Sequence, residues 1–290
     1  MPRAFLTQAL MAWLVILGAI YVGLHAQSIP VTIACIVIIA TRQNILGLLT
    51  HEQAHYLGLR SKYGDWLCNA LISYPLLALS VEGYAKVHLT HHRYFFTQKD
   101  PDFLRKNGED WALPLPRRKL LRLFTKDLLG LSIVDTIIGK NVDVPGYEFA
   151  RKYPTPRWFK LAYYLTAAWV LTWANVWDIF LLYWVLPLVT VFQGIVRWGA
   201  LCEHVYGTEN ATVEDCSPVI LNRWWEKLLL PNLNFTLHTY HHYFPGVSFS
   251  KLPLLHEIFK KEGLVNEKLV FDGYGAYLNF ISKPSGDLKA

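Results

Sequence analysis

The residues of this chain best suited to chemistry are three clusters of histidines. His51 and His55 stand four positions apart, and in two later clusters a histidine is followed after two residues by a histidine pair. The members of those later clusters are His88, His91 and His92, and then His238, His241 and His242. The three clusters hold eight of the chain's 11 histidines. Because imidazole is a frequent metal ligand, the pattern predicts a metal site.

Each cluster has a spacing that puts its imidazoles on one face of a helix, since residues i, i+3 and i+4 lie on the same side. Three such faces could enclose metal ions without help from loops. Eight imidazoles exceed the four ligands of one tetrahedral zinc and suit two ions. Imidazole binds zinc, copper, iron and nickel, so the ligand type alone leaves the metal open.

The first cluster supports a second hypothesis. Residues 51–55 read H-E-x-x-H, a pattern in which two histidines bind zinc and Glu52 acts as the general base of a metalloprotease. An intramembrane zinc protease would need one further ligand and would leave the two later clusters without a role. Metal content separates the two hypotheses, because the first expects about two metal ions per chain and the second about one zinc.

The composition indicates a membrane protein. Of 290 residues, 53% are hydrophobic and 17% are charged, whereas soluble domains carry about 25% charged residues. The 11 tryptophans and 16 tyrosines fit rings at a lipid–water boundary. The net charge of +6 is compatible with nucleic acid or with loops facing anionic lipid. The charge distribution described below favours lipid, so no nucleic acid partner is expected. The four cysteines have no metal-site or disulfide spacing and are predicted to be free thiols.

The apolar segments predict an all-α fold with four transmembrane helices in two hairpins. The predicted spans are residues 8–24, 30–50, 160–177 and 179–197, and such lengths suit a hydrocarbon core of about 30 Å. Residues 66–81 are also apolar, but the run is short and contains Pro75, so it is predicted to be re-entrant or interfacial. The alternative is a soluble all-α protein with four buried helices.

The positions of the basic residues predict the orientation. Four precede residue 66, 15 lie between residues 82 and 160, nine follow from residue 197, and the two proposed outer turns have none. The positive-inside rule then places both termini and every histidine cluster in the cytoplasm. In this prediction residues 51–159 and 198–290 form a cytoplasmic helical cap that carries the clusters, within a single domain spanning residues 1–290. A soluble protein has no reason to distribute its charges in this way.

In this order, and with a hairpin of spans before the last of them, the three clusters resemble those of the membrane fatty acid desaturase/hydroxylase superfamily. The Asp-Pro-Asp at residues 100–102 is similar to a feature of bacterial members. Residues 238–245, together with the Leu-Pro at 252–253 and Leu-His at 255–256, resemble their C-terminal pattern. The resemblance runs from about residue 44 to residue 257 and points to a bacterial-type fatty acid desaturase.

The resemblance implies a ninth ligand, a histidine that follows the fourth span in a Glu-His pair. The nine implied metal ligands are His51, His55, His88, His91, His92, His204, His238, His241 and His242. Some relatives have an asparagine four residues before the ninth ligand, where this chain has Ala200. Carboxylates that orient the ligand rings are expected among Glu52, Asp100, Asp102 and Glu203. His25 and His256 are predicted to be structural.

The resemblance also implies the reaction. Two iron ions would reduce O2 with two electrons and oxidise an unactivated C–H bond in a fatty-acyl or other lipid-like chain, which places the protein in lipid metabolism. Removal of a second hydrogen gives an alkene, whereas return of a hydroxyl gives an alcohol. A hydroxylase or ketolase acting on an alkyl, carotenoid or small-molecule substrate is therefore the nearest alternative, since it would use the same ligands.

The electrons for this reaction must come from a partner. The sequence has no G-x-G-x-x-G motif, no cysteine set for an iron–sulfur cluster and no fused haem domain. A separate ferredoxin or cytochrome b5-like donor is therefore predicted. The predicted cytoplasmic side carries all 28 basic residues and all 22 acidic residues except Asp178, a net charge of +7. This excess favours an acidic donor whose association weakens with salt.

Overall fold

The computed structural model describes residues 2–77, 79–133 and 151–283, and most of these are helical. The helices, in chain order, are α1 Pro2–Ala26, α2 Ile29–Ala54, α3 Gly64–Cys68, α4 Val81–Arg93, α5 Pro101–Arg105, α6 Arg117–Leu128, α7 Arg157–Trp173, α8 Trp177–Glu203, α9 Val213–Cys216, α10 Trp224–Leu229, α11 His238–Tyr243, α12 Leu252–Lys261 and α13 Gly273–Ser282. Two short strands, β1 Val219–Ile220 and β2 Val270–Phe271, pair in parallel, with Val219 opposite Val270. The prediction of a helical fold is confirmed.

Three of these helices are long and apolar enough to cross a membrane: Arg3–Ala26, Ile29–Ala54 and Trp177–Glu203. They contain the predicted spans 8–24, 30–50 and 179–197. The fourth predicted span, 160–177, corresponds to α7, which has 17 residues and buries none of them. At 1.5 Å per residue α7 is about 26 Å long, slightly short of a hydrocarbon core. Three helices could thus cross a membrane, and the total of four spans remains a prediction.

The chain packs as two compact units. The first comprises Met1–Lys86 with Phe149–Ile195, and the second comprises Val87–Glu148 with Val196–Ala290. Helices α4 and α8 each contribute residues to both units. The prediction of a single domain with a cytoplasmic cap is not tested by this division and remains a prediction.

In the first unit α1 and α2 pack against each other, joined by only two residues at Gln27 and Ser28. Ile16 of α1 and Ile39 and Leu46 of α2 are fully buried. The opposite faces are also apolar, and Leu17 and Ile33 are more than half exposed. A helix that is apolar on every side suits a lipid environment, because its outward side chains then face hydrocarbon.

The predicted re-entrant region contains a short, irregular helical segment in this first unit. Helix α3 passes into a π-helical turn, Asn69–Ser73, and then a 3-10 turn, Tyr74–Leu76. Helix α3 and the two turns have five, five and three residues, and together they are only about 20 Å long. Aromatic side chains of other helices donate to its carbonyls: Trp13 to Leu71 at 2.9 Å, Trp184 to Pro75 at 2.7 Å, and Tyr164 to Leu77. Such internal donors are what irregular backbone requires at membrane depth, and the prediction for residues 66–81 stays open.

The core of the second unit lies around α13. Tyr277 and Ile281 of this helix are buried against Leu120 of α6, Leu201 of α8 and Ile220 of β1. A buried ion pair ties α8 to α6, with Arg197 donating to both carboxylate oxygens of Asp127 at 2.6 and 2.9 Å. The second unit is thus built on the final turns of α8.

Candidate metal centre

Helices α4 and α11 bring the second and third histidine clusters into contact within the second unit. The sequence folds as helix at both places, and the i, i+3, i+4 spacing then puts His88, His91 and His92 on one side of α4. The Nε2 atom of His92 lies 3.0 Å from Nε2 of His88 and 3.0 Å from Nε2 of His241 on α11. The predicted approach of these two clusters is therefore present in the structure.

A second group of imidazoles forms around His204, the residue that follows the last turn of α8. Its Nε2 atom lies 3.3 Å from Nε2 of His91 and 3.2 Å from Nε2 of His242. A ligand nitrogen from each of these three residues lies within 4.8 Å of the other two. His238 is adjacent, with its ring centre 5.1 Å from that of His204. All seven predicted ligands of the second unit thus lie in one continuous cluster.

The group around His204 has the spacing that a metal ion requires. Ligand nitrogens at about 2.0–2.1 Å from a tetrahedral ion are about 3.3 Å from one another, which matches the distances from His204 to His91 and His242. His91 and His204 are almost completely buried, at 2% and 1% exposure. Burial, and then the neighbouring His91, hold the pKa of His204 well below its usual value. The ring is therefore neutral at physiological pH, the form that binds metals.

His242 has the same preference for the neutral form. Burial, and then the neighbouring His238 and His204, hold the pKa of His242 well below its usual value. A cluster of imidazoles that cannot all be protonated, and whose nitrogens converge, is stabilised by a cation placed among them. The residues present therefore fit a bound metal ion.

Asp100 fixes the orientation of His91. It is fully buried, and its Oδ2 accepts the Nδ1 proton of His91 at 2.8 Å. The same carboxylate starts helix α5, because its Oδ1 accepts the backbone N–H groups of Asp102 and Phe103. Asp100 thus holds the Nδ1 proton of His91, so Nε2 of that ring offers its lone pair toward His204 and His242.

The other three predicted carboxylates lie in different surroundings. Asp102 accepts from Lys106 at 2.8 Å and from the hydroxyl of Tyr206 at 3.1 Å. Burial alone would raise the pKa of Asp102, but Lys106 and His91 hold it well below its usual range. Glu203 ends α8 directly before His204, and Glu52 is buried in the last turns of α2. A role for these three in orienting ligands remains a prediction.

Ser217 is a neighbour of the cluster that sequence reasoning missed. Its hydroxyl lies 2.9 Å from Nδ1 of His204, and the residue is 2% exposed. Its contact with His204 resembles that of Asp100 with His91, since each partner takes the ring nitrogen that points away from the cluster. No spacing in the sequence marks Ser217, which lies 13 positions after His204, directly beyond the short helix α9.

Replacing Ser217 with alanine should weaken metal binding at His204 about tenfold, because the partner that holds a ligand imidazole contributes about 10–100-fold to affinity. Iron retention during competition with a chelator measures this. Ser248→Ala is the matched control, since Ser248 is another buried serine of the second unit. Equal iron retention by the two variants would contradict a role for Ser217.

The first cluster lies in the first unit at the end of α2, where His51 is in the last turn and His55 directly follows Ala54. The ring centres of His51 and His55 are 5.1 Å apart, and that of His51 is 5.9 Å from the ring centre of Tyr84. Burial and the charge of Arg151 lower the pKa of His55 to about 4, so this ring is also neutral at physiological pH. The prediction that His51 and His55 share a metal centre with the other seven histidines remains a prediction.

Arg151 holds the end of α2 that carries this pair. Its guanidinium forms a buried ion pair with Asp65, with N–O distances of 2.8 and 2.6 Å. It also donates to the carbonyls of Ala54 at 2.7 Å and Gln53 at 3.0 Å, two of the groups that a helix end leaves without intrahelical partners. The guanidinium lies 3.6 Å from the ring centre of Tyr56. Arg151 therefore fixes the direction in which α2 presents His51 and His55.

The two remaining histidines have structural partners. Nδ1 of His256 lies 2.7 Å from the hydroxyl of Tyr240, and Nδ1 of His25 lies 2.8 Å from the carbonyl oxygen of Tyr21. These contacts agree with the prediction that both are structural.

The chain was compared with models of protein families and with curated proteins. A family model described as fatty acid desaturase matches residues 27–271, which include all nine predicted ligands. No curated protein matches the chain.

Proposed function

The chain belongs to the fatty acid desaturase family, and on this premise we propose that it is a membrane-bound, iron- and O2-dependent desaturase. It introduces a carbon–carbon double bond into a fatty-acyl or other lipid-like chain. The observation that carries the proposal is the convergence of His91, His204 and His242, with the contacts among His88, His92 and His241 beside it. The nine proposed iron ligands are His51, His55, His88, His91, His92, His204, His238, His241 and His242.

Two bound irons would supply the electron transfer to O2 that oxidation of an unactivated C–H bond requires. The chain's own residues prepare the ligands. Asp100 holds the Nδ1 proton of His91, and Ser217 contacts Nδ1 of His204, so the Nε2 atoms of both rings face inward. Burial of His91, His204 and His238 excludes bulk water from the imidazoles. Burial also holds the pKa of His204 well below its usual value, which favours the neutral form that binds metal.

The electron donor is proposed to be a separate acidic protein of the ferredoxin or cytochrome b5 type. The excess of basic residues over acidic ones, +6 for the whole chain, supports this choice. The spans, both termini and the clusters are proposed to have the orientation that the basic residues predict, with the clusters on the cytoplasmic side.

The test is expression with candidate donors, followed by mass spectrometry of lipids and metabolites. A desaturase gives a product lighter than its substrate by two hydrogen atoms, whereas a hydroxylase gives one heavier by an oxygen atom. Metal analysis of the purified protein should find about two irons per chain. Zinc at about one per chain without iron, together with peptide cleavage, would support the H-E-x-x-H protease instead.

A further inference from the structure

Helices α6 and α10 of the second unit present large apolar side chains outward. Leu121 and Leu128 lie seven positions apart on one side of α6, and each is more than half exposed. Trp224 and Leu228 lie four positions apart on α10 and are 78% and 67% exposed. We call these four residues and their exposed neighbours the outer apolar set: Leu121, Leu128, Leu129, Leu131, Trp224, Leu228 and Leu229. Large apolar side chains repeated along the exposed face of a helix are typical of a helix that lies on a membrane surface.

Both helices are fixed to α13. Arg117 of α6 donates to the side chain of Asn279 at 2.9 Å. Glu226 of α10 accepts the backbone N–H of Tyr274 at 2.8 Å. Gly273 permits this close approach, because a Cβ there would lie 2.8 Å from each oxygen of Glu226. These contacts hold α6 and α10 against α13, so the outward position of their apolar side chains is fixed by the packing of the core.

The same core contains the end of a membrane-spanning helix. Trp198, five residues before the end of α8, has its ring centre 5.5 Å from that of Tyr274 on α13 and 6.4 Å from that of Phe124 on α6. The end of a span lies where hydrocarbon meets water, and tryptophan is enriched at that depth. The outer apolar set therefore belongs to the same part of the second unit as the end of α8, and that end lies at the bilayer surface.

On both helices the acidic side chains face the protein interior and basic side chains face outward. Each helix has a single acidic residue, and both acids face inward: Asp127 is 1% exposed and bound by Arg197, and Glu226 is 3% exposed. The exposed basic residues are Arg117, Arg118 and Arg122 on α6, Lys227 on α10 and Arg223 directly before α10. Arg122 pairs with Asp110 at 3.5 Å and Arg223 with Asp272 at 2.9 Å. Outer faces that combine leucine, tryptophan and basic residues fit a surface of anionic lipid.

We propose that α6 and α10 lie in the interface of an anionic bilayer, with the outer apolar set inserted among the lipids. The two helices anchor the histidine-bearing unit to the membrane surface in addition to its spanning helix. This inference rests on the proposed membrane spans and is independent of the reaction catalysed. The full chain in liposomes of phosphatidylcholine and phosphatidylglycerol provides the system for a test.

Spin labels at Leu121→Cys and Leu228→Cys report their depth through accessibility to oxygen and to a water-soluble nickel complex. The native cysteines are all buried, so the label attaches to the introduced thiol. Leu17→Cys in α1 serves as the lipid reference, and Lys261→Cys and Lys268→Cys in the second unit serve as exposed references in water. Residues 121 and 228 should show oxygen-to-nickel ratios several-fold above the aqueous references, corresponding to a depth of about 5–10 Å.

Lipid depth at Leu17 with aqueous values at Leu121 and Leu228 would overturn the proposal while leaving the spans intact. Spin–spin broadening at Leu121 or Leu228 that disappears on dilution with unlabelled protein would assign the surface to a second copy of the chain. Immobilisation of these labels only after addition of an acidic electron donor would assign the surface to that donor. A further expectation is that Arg118→Gln with Lys227→Gln reduces the depth in anionic liposomes, whereas Lys261→Gln with Lys268→Gln does not.

Discussion

His91→Ala is expected to abolish the proposed activity, with a loss of more than about 100-fold. Removal of a group that merely orients a ligand already costs about 10–100-fold, and His91 would supply the ligand itself. Its Nε2 lies 3.3 Å from that of His204, so the substitution removes one of three converging nitrogens. It also leaves Asp100 as a buried carboxylate that has lost its imidazole partner.

The measurements for His91→Ala are product formation with a working electron donor and iron content of the purified variant. The matched control is His256→Ala, which removes a buried histidine of the same unit whose partner is the hydroxyl of Tyr240. Per molecule of folded protein, the His256→Ala control should keep its iron content and its activity. Full activity in His91→Ala would refute the iron-dependent mechanism for this chain.

The second large effect is expected from Arg151→Met, which should lower the free energy of unfolding by about 3–5 kcal/mol. Breaking one side of a buried ion pair leaves an uncompensated charge, and Asp65 is only 5% exposed. Methionine keeps most of the aliphatic stem but cannot donate to the carbonyls of Gln53 and Ala54. The end of α2 that carries His51 and His55 would lose its fixed position, so iron content should fall as well.

Thermal unfolding in detergent, together with iron analysis, tests Arg151→Met. Arg223→Met is the matched control, because Arg223 pairs with Asp272 at 2.9 Å on the exposed surface, where an ion pair contributes little. The double variant Arg151→Met with Asp65→Leu should recover part of the lost stability, since no buried charge remains, but not the carbonyl contacts. A melting temperature for Arg151→Met equal to that of the control would exclude this role.

The local features of the candidate site could be predicted from the sequence. The spacing in residues 88–92 and 238–242 determines which side of a helix each imidazole occupies, because the period of the helix is a property of neighbouring residues. Asp100 was a candidate on a different ground, because the Asp-Pro-Asp that begins nine residues after His91 resembles a feature of bacterial family members. The long apolar runs likewise predict four spans, and three of these lie within helices that are long and apolar enough to cross a membrane.

The interfacial faces of α6 and α10 were not predicted. Both helices lie in segments that are polar on average, and such segments are expected to be exposed to water. The exposure of Leu121 and Trp224 depends on which side of each helix packs against α13, and that choice is made by the core around Tyr277 and Ile281. The sequence shows which residues share a side of a helix, but only the packing of the neighbouring helices determines which side is buried.

By itself, then, the sequence determined the family, the helical fold and the positions of the histidines on their helices, since each of these depends on composition or on spacing along the chain. The tertiary structure alone decided that Ser217 contacts His204 and that Arg151 pairs with Asp65 across 86 residues. It also brought Nε2 of His204 to within 3.3 Å of Nε2 of His91 and 3.2 Å of Nε2 of His242. Such contacts join segments whose approach is set by the packing of the whole chain, and no local pattern records them.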